Sequence, residues 1–240
     1  MTPESAETIR ALDVNLAAHE SWNEDMAHRY NPDAFITKSG FLIRRVEALR
    51  LEKTKRALKC GPRDVVLDLG CGAGNLLEKL EGSRIVGVDI SDMLLAQAQQ
   101  RVKGSARIEL KKAPAEQLPY ADNTFDRVVC SEVLEHVLDP KVVIAEIRRV
   151  AKAGARIVLT VPNEELINAT KRVVLALGLK KWIAGGYEMS DNMLDEWHRT
   201  EISQDWVIDA CREGFKPVGS WNVPMALLAY HRILAFQVAK

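Results

Sequence analysis

Between residues 62 and 161, short apolar runs alternate with stretches whose apolar residues recur at helical spacing. The runs are Val65-Val66-Leu67, Ile85-Val86-Gly87-Val88, Arg107-Ile108-Glu109-Leu110, Arg127-Val128-Val129-Cys130 and Arg156-Ile157-Val158-Leu159. Several are β-branched and nearly continuous, as strands covered on both faces are. Residues 92–102 and 140–150 carry the helical spacing. Strand alternating with helix predicts βαβ units, hence a parallel sheet with right-handed crossovers.

The flanks read differently. Residues 1–61 are helical in pattern, with a break at Asn31-Pro32. A long interruption, 163–200, follows the fifth run. Within it, 166–183 is amphipathic, with Lys171, Arg172, Lys180 and Lys181 set among Val173, Val174, Leu175, Leu177 and Trp182. A further helical pattern covers 204–212 and is stopped by Gly214. Two strand-like runs, 215–221 and 233–238, follow. The expected organisation is a helical N-terminal cap over 1–61 and an α/β domain over 62–240, with 163–200 inserted as a lid or substrate segment.

Composition narrows the class. The 240 residues are 47% apolar and 28% charged, which is ordinary for a globular chain and excludes disorder, collagen and coiled coil. Lys plus Arg equals Asp plus Glu at 33 each, so no global field favours a nucleic-acid backbone. The balance is local, however. Residues 1–33 hold two basic and seven acidic side chains, and 38–59 hold eight basic and two acidic. That second stretch is a solvated face or one that meets an anionic substrate or membrane. Cys60, Cys71, Cys130 and Cys211 show no CxxC spacing, so neither a zinc ribbon nor a disulfide scaffold is expected, and a reducing cytoplasm fits. The polar N-terminus reads as neither signal nor transit peptide. No apolar run approaches the roughly 18 residues of a membrane span, which leaves peripheral membrane contact open.

The chemistry concentrates at Val65-Val66-Leu67-Asp68-Leu69-Gly70-Cys71-Gly72-Ala73-Gly74-Asn75. An apolar strand enters a glycine-rich turn, and a helix is expected after it. Gly70 permits a tight turn, and Gly72 lets a ligand approach bare backbone. The helix start would add free N–H groups. Asp89 follows Gly70 by nineteen residues at the end of the second run, close to the spacing at which an acid meets ribose hydroxyls. The dinucleotide fingerprint would need glycine or alanine where Asn75 stands. Asp68, at the mouth of the loop, would repel a pyrophosphate. It suits a ligand with a cationic amino group and no phosphate, such as S-adenosylmethionine.

The segment Asp68-Leu69-Gly70-Cys71-Gly72-Ala73-Gly74 resembles motif I of the class I S-adenosylmethionine-dependent methyltransferases. Val88-Asp89-Ile90-Ser91 with Met93 is similar to that family's second strand end. Ala115-Glu116-Gln117-Leu118-Pro119 resembles its adenine loop, although Pro114 replaces the usual acid, so that a neighbouring carbonyl would have to accept from the adenine amino group. Asn123-Thr124-Phe125-Asp126 and Cys130-Ser131-Glu132-Val133-Leu134-Glu135-His136 resemble its fourth strand and the turn beyond. The resemblance covers about 62–161, and 201–217 looks like the family's late helix and strand. It implies a Rossmann-like α/β fold with seven strands, mostly parallel and the last antiparallel. It also implies cofactor contacts from Asp68, Leu69, Gly70, Cys71, Gly72, Gly74, Asp89, Ile90, Met93, Ala115, Glu116 and Ser131.

Methyl transfer needs an aligned acceptor and excluded water more than a catalytic dyad. A base is required only for an acceptor that is protonated at neutral pH. His136 and His198 are the candidate catalytic residues. His19, His28, Tyr30 and Trp22 belong to the cap and read mainly as packing. Glu132, Glu135 and His136 form an E-x-x-E-H pattern similar to that of metal-using O-methyltransferases, with His198 a fourth donor, but no metal is expected. Cys71 reads as a filler of the turn. The expected partner is a small-molecule acceptor, with a lipid or isoprenoid quinone as the alternative and a non-catalytic S-adenosylmethionine-binding protein as the reading from another class. No nucleic-acid partner is expected, and the chain is expected to be a monomer or homodimer.

Overall fold

The computed structural model describes residues 3–187, 197–225 and 228–240, with side chains of the first helix from Asn15 onward. Helix α1 (Pro3–Arg29), α2 (Pro32–Lys38) and α3 (Phe41–Leu58) precede the sheet. Asn31 caps α2 by accepting from the Asp33 and Ala34 amides, and Pro32 fits its first turn, which needs no N–H there. The break at Asn31-Pro32 is therefore observed. A second break, at Ser39-Gly40, carried no proline to mark it.

All seven apolar runs form strands: β1 (Val65–Leu69), β2 (Arg84–Asp89), β3 (Ile108–Lys112), β4 (Phe125–Ser131), β5 (Ala151–Pro162), β6 (Phe215–Met225) and β7 (Leu228–Val238). They make one sheet in the order β3-β2-β1-β4-β5-β7-β6. The first five pair in parallel, and β7 runs antiparallel to β5 and β6. Between them lie α4 (Asp92–Arg101), α5 (Pro140–Val150), α6 (Glu164–Ala176), α7 (Lys180–Ala184) and α8 (Gln204–Ala210).

Alternate strand residues serve opposite faces. Leu67, Leu69, Val86, Val88, Val128 and Cys130 pack with α5 and α8, through Ile144, Ile147, Val150 and Val207. Val66, Ile85, Val129, Val158 and Ile233 pack with α3, through Leu51, Ala57 and Leu58. The parallel register sets Leu69 beside Val88 and Cys130. The carboxyl ends of β1, β2 and β4 thus open together, where ligands sit in sheets of this kind.

Two expectations need correction. No α-helix follows the glycine loop. Residues 77–79 make a single 3-10 turn, which sets Leu77 and Leu80 on one side and buries both. Only nine residues separate Gly74 from β2, too few for a helix and a return. The amphipathic stretch 166–183 is also not one helix. Gly178 takes φ +66 and ends α6, with the Leu179 amide turned back to the Val174 carbonyl, before α7 begins.

Candidate active site

The loop after β1 is built by three glycines with positive φ: 70° at Gly70, 52° at Gly72 and 78° at Gly74. The Gly70 and Cys71 amides donate to the Val88 carbonyl at 2.8 and 2.9 Å, which binds the loop to β2. A Cβ on Gly70 would stand 2.2 Å from Val133 Cγ2, so this glycine is required by its neighbour as well as by its φ. A Cβ on Gly72 would meet nothing within 4 Å. Gly72 faces open space, as a bare backbone that receives a ligand must.

Asp89 holds this loop. Its Oδ2 accepts from the Gly72 amide at 2.8 Å and its Oδ1 from the Ser91 amide at 2.9 Å. Burial raises its pKa, against the lowering effect of those amides. Asp68 lies beside it, 2% exposed, with Oδ2 lacking a hydrogen-bond partner among the described residues. Burial first, and the charge of Asp89 second, push the Asp68 carboxyl up to about 8, with Arg50 pulling the other way. Burial likewise raises the Cys71 thiol well above its usual range, as suits a residue that only fills space.

These groups line a cavity of about 830 Å³. Asp68, Leu69, Gly70, Cys71, Gly72, Asp89, Ile90, Ala115, Glu116 and Ser131 all reach it. Gly74 and Met93 are outside its lining. Gly74 turns toward Ala98 of α4. Met93 packs with Ala27, Ala73 and Leu94, and its amide donates to Glu24 at 3.0 Å, because α1 lies across the start of α4. Glu116 spends Oε1 on the Leu138 amide at 2.8 Å. The Pro114 carbonyl accepts from Gln117 at 3.2 Å.

His136 and His198 come together across the cavity wall, with ring centroids 4.9 Å apart. His136 Nδ1 is 3.2 Å from the Trp197 carbonyl, and His198 Nδ1 pairs with Glu164. Behind them Glu135 is 1% exposed, and neither carboxyl oxygen has a hydrogen-bond partner among the described residues. Burial, reinforced by the charge of Glu132, raises its pKa to about 8. Glu135, His136 and His198 each bring a ligand-capable atom within 4.8 Å of the others.

Glu132 does not join that group. Its Oε1 accepts from Thr160 Oγ1 at 2.6 Å and its Oε2 lies 2.8 Å from His231 Nδ1. His231 Nε2 is 3.2 Å from Glu47 Oε1, and Glu47 Oε2 accepts from Arg50 at 3.0 and 2.7 Å. Arg50 also donates to Ser131 Oγ at 2.8 Å, and Ser131 Oγ is 2.9 Å from Thr160 Oγ1. Since Thr160 donates to Glu132, Ser131 must donate to Thr160, and the chain of donors runs one way from Arg50 to Glu132. Burial alone would lower the His231 pKa, but Glu132 and Glu47 raise it to about 9, so it is an imidazolium at neutral pH. Burial also works against the Glu47 charge, yet Arg50 and His231 hold its pKa well below the usual range.

Glu47, Arg50, Glu164 and His231 were not visible as site residues in the sequence. For the first two a signal existed: Glu47, Arg50, Leu51, Thr54, Ala57 and Leu58 recur at three- and four-residue spacing, and all are buried. Of the cap residues, Tyr30 and His19 line the cavity and His28 and Trp22 do not. His19 is held near pKa 4 by burial and by Arg199, and accepts from Asn23 Nδ2 at 2.9 Å. Trp22 stacks on His19 and lies under the Arg199 guanidinium.

A parallel sheet with an acid-flanked glycine loop at its carboxyl edge defines a nucleoside-binding Rossmann-like protein. Comparison with known proteins gives the family. Residues 67–159 match the family described as "Methyltransferase domain". The chain is 30% identical over 190 residues to a demethylmenaquinone methyltransferase of Clavibacter sepedonicus, spanning 75% of this chain and 76% of that protein. It is 36% identical over 146 residues to a ubiquinone biosynthesis O-methyltransferase of Hahella chejuensis, spanning 58% of this chain and 59% of that one. Among solved structures, the N-methyltransferase NodS of Bradyrhizobium japonicum in complex with S-adenosyl-L-homocysteine shares the fold. Its TM-score is 0.60 at 20% identity, over 81% of this chain and 88% of that one. The chain belongs to the class I S-adenosylmethionine-dependent methyltransferases. Among the described residues no helix is long and apolar enough to cross a membrane.

Proposed function

We propose that the chain methylates a small organic acceptor held in the 830 Å³ cavity, with the cofactor along the ends of β1 and β2. The observation that carries this reading is the buried Asp68 carboxyl, with an oxygen that has no hydrogen-bond partner among the described residues and a face on the cavity. A cationic ammonium answers it. Arg50, whose charge acts on Asp68, offers the cation that an amino acid's carboxylate needs. Gly72 provides open backbone, and Asp89 has lone pairs left for ribose hydroxyls beyond those used by the loop. These residues fit S-adenosylmethionine, which supplies a methyl carbon carried on a sulfonium.

On this reading the acceptor half lies between the described parts of the cap and of the insertion. Its walls include Ile43, Val46, Ile167, Val174 and Ile183, which exclude water and hold an apolar skeleton. His136 and His198 stand where an acceptor hydroxyl or amine would lose its proton. Glu164 pairs with His198 Nδ1 and so orients the imidazole at the cavity wall. Four free cysteines suit the reducing cytoplasm.

Calorimetric titration with S-adenosylmethionine and S-adenosylhomocysteine tests the cofactor assignment. One-to-one binding that Asp68→Asn weakens supports it, and absence of binding to both compounds leaves the non-catalytic reading with nothing to bind either. The relatives that act in menaquinone and ubiquinone synthesis favour a second reading, an isoprenoid quinone precursor as acceptor. Turnover with hydroxylated aromatics, with and without prenyl tails, separates the two.

A further inference from the structure

Three segments contribute to the cavity lining: residues 36–46, residues 166–187, and the paired ends of β6 and β7 at 222–225 and 228–232. They are fastened to one another. The Gly40 amide donates to the Ile183 carbonyl at 2.9 Å, the Gly186 amide to the Lys38 carbonyl at 2.8 Å, and Thr170 Oγ1 meets Tyr230 OH at 3.1 Å. In a chain of zero net charge these segments hold eight Lys and Arg and no Asp or Glu. Acids border the segments in sequence at Glu47, Glu164, Glu165 and Glu188; Glu47 is turned inward to Arg50 and Glu164 to His198.

The same segments expose apolar side chains. Phe41 is 67% exposed, Leu177 and Trp182 65%, Val173 58% and Met225 56%. Among the described residues, nine of the fourteen exposed large apolar side chains fall in these segments, so the patch is concentrated. Exposed apolar patches of this kind mark interaction sites. Leu42 and Leu228 are both exposed and part of the cavity lining, so the apolar surface continues from the outside of the molecule inward.

We propose that this face docks on a lipid bilayer carrying anionic headgroups. After Glu164 and Glu165, α6 and α7 expose Val173, Leu175 and Trp182 and carry Lys171, Arg172, Lys180 and Lys181, a mixture found in interfacial helices. Basic groups beside the apolar patch would meet negative headgroups while Trp182, Leu177 and Phe41 enter the boundary below. A second copy of the chain is the poorer occupant, because symmetric pairing of this face would set its like charges against each other. The inference concerns where the protein sits and holds whichever acceptor the cavity takes.

The test is flotation of the full chain with phosphatidylcholine vesicles and with phosphatidylcholine–phosphatidylglycerol vesicles, at low and high salt. Binding to the anionic vesicles is expected to exceed binding to neutral ones by tenfold or more and to fall at high salt. Trp182 fluorescence is expected to shift to the blue on binding. Trp182→Ser and the pair Arg172→Glu with Lys181→Glu are expected to lose binding while keeping wild-type circular dichroism and S-adenosylhomocysteine affinity. Equal flotation of wild type and variants, or none on anionic vesicles at low salt, would overturn the proposal. So would a dimer in sedimentation equilibrium that Trp182→Ser dissolves, because the face would then belong to a second copy. A wild-type chain that binds S-adenosylhomocysteine but no vesicles refutes the docking face alone, whereas a wild-type chain that floats with anionic vesicles but binds no cofactor refutes the functional reading alone.

Discussion

Asp89 Oδ2 lies 2.8 Å from the Gly72 amide nitrogen and accepts its hydrogen. The acid expected to meet a ribose therefore also fixes the glycine loop. Removing it has two effects at once. Asp89→Ala is expected to weaken S-adenosylhomocysteine binding tenfold or more, about 1.4 kcal/mol. It should also lower the melting temperature without ligand, because two buried amides lose their acceptor. Calorimetry and thermal melting check the two parts. Unchanged affinity with a lowered melting temperature would assign Asp89 to the loop alone.

Gly70 and Gly72 should respond differently to the same change. At Gly70 an added methyl meets Val133 at 2.2 Å, so Gly70→Ala should destabilise the fold itself, by about 1–3 kcal/mol or more from overpacking and positive φ together. At Gly72 there is room, so Gly72→Ala should cost about 1–2 kcal/mol from φ alone and lose cofactor affinity instead. Denaturant titration and ligand titration of both variants decide this. Equal loss of stability in the two would contradict the assignment of Gly72 to the ligand face.

The Asp68 carboxyl is raised to about 8 and must ionise to pair with an ammonium. Below pH 8 cofactor binding should therefore release a proton. Affinity should rise with pH between about 6 and 7.5, then level as the ligand's own ammonium begins to lose its proton near about 8. Asp68→Asn should remove the rise. Calorimetry in buffers of different ionisation heat reads the proton directly. A flat wild-type profile would exclude Asp68 as the ammonium's partner.

His231 carries a pH signature in stability. Its folded pKa is about 9 against an ordinary 6.5, so its contribution is complete below about 6.5 and is lost as the pH rises through about 9. Glu47 and Glu132 are held below their ordinary value of 4.5, so theirs is complete above that value and is lost on acidification through the lowered pKa. The network should stabilise most between about 4.5 and 6.5. His231→Ala leaves two buried carboxylates facing each other and should cost about 3–5 kcal/mol at pH 6. Urea denaturation from pH 5 to 9 should show the wild-type and variant curves converging as pH rises. Parallel curves would remove the imidazolium from the account.

For the chemistry, His136→Ala and His198→Ala should lower kcat by about 10²–10⁴ if either takes the acceptor's proton, with S-adenosylhomocysteine affinity unchanged. Glu164→Gln should give a smaller loss through His198. Activity should survive chelation. Loss on chelation, restored by Mg²⁺ or Mn²⁺, would instead make Glu135, His136 and His198 the ligands of a cation.

The sheet was legible because β2, β4 and the end of β5 carry nearly continuous apolar runs buried on both faces, whereas β3 and β6, largely exposed, had to be read from short strand-like runs. The glycine loop was legible because its spacing is covalent. His231 was not, since it lies in the middle of β7 and meets Glu47 and Glu132 only when the antiparallel strand is in place. Met93 lies outside the cavity lining for the converse reason: its distance from Asp89 is fixed locally, but α1 arrives from far away in the chain and packs on it. The helix after the loop failed on length, which a count from Gly74 to Arg84 would have exposed.

The contact between Gly40 and Gly185 bears on how acceptor choice can change. A Cβ on Gly40 would stand 2.6 Å from the Ile183 carbonyl, and one on Gly185 would stand 2.8 Å from the Gly40 nitrogen. Backbone touches backbone there, with no side chain between to absorb a mismatch. Segments 38–40 and 183–186 are thus cast against each other, backbone on backbone. A chimera that borrows only one of the two from a relative would inherit a seam that does not close, so substrate range in such proteins should move by exchanging both together.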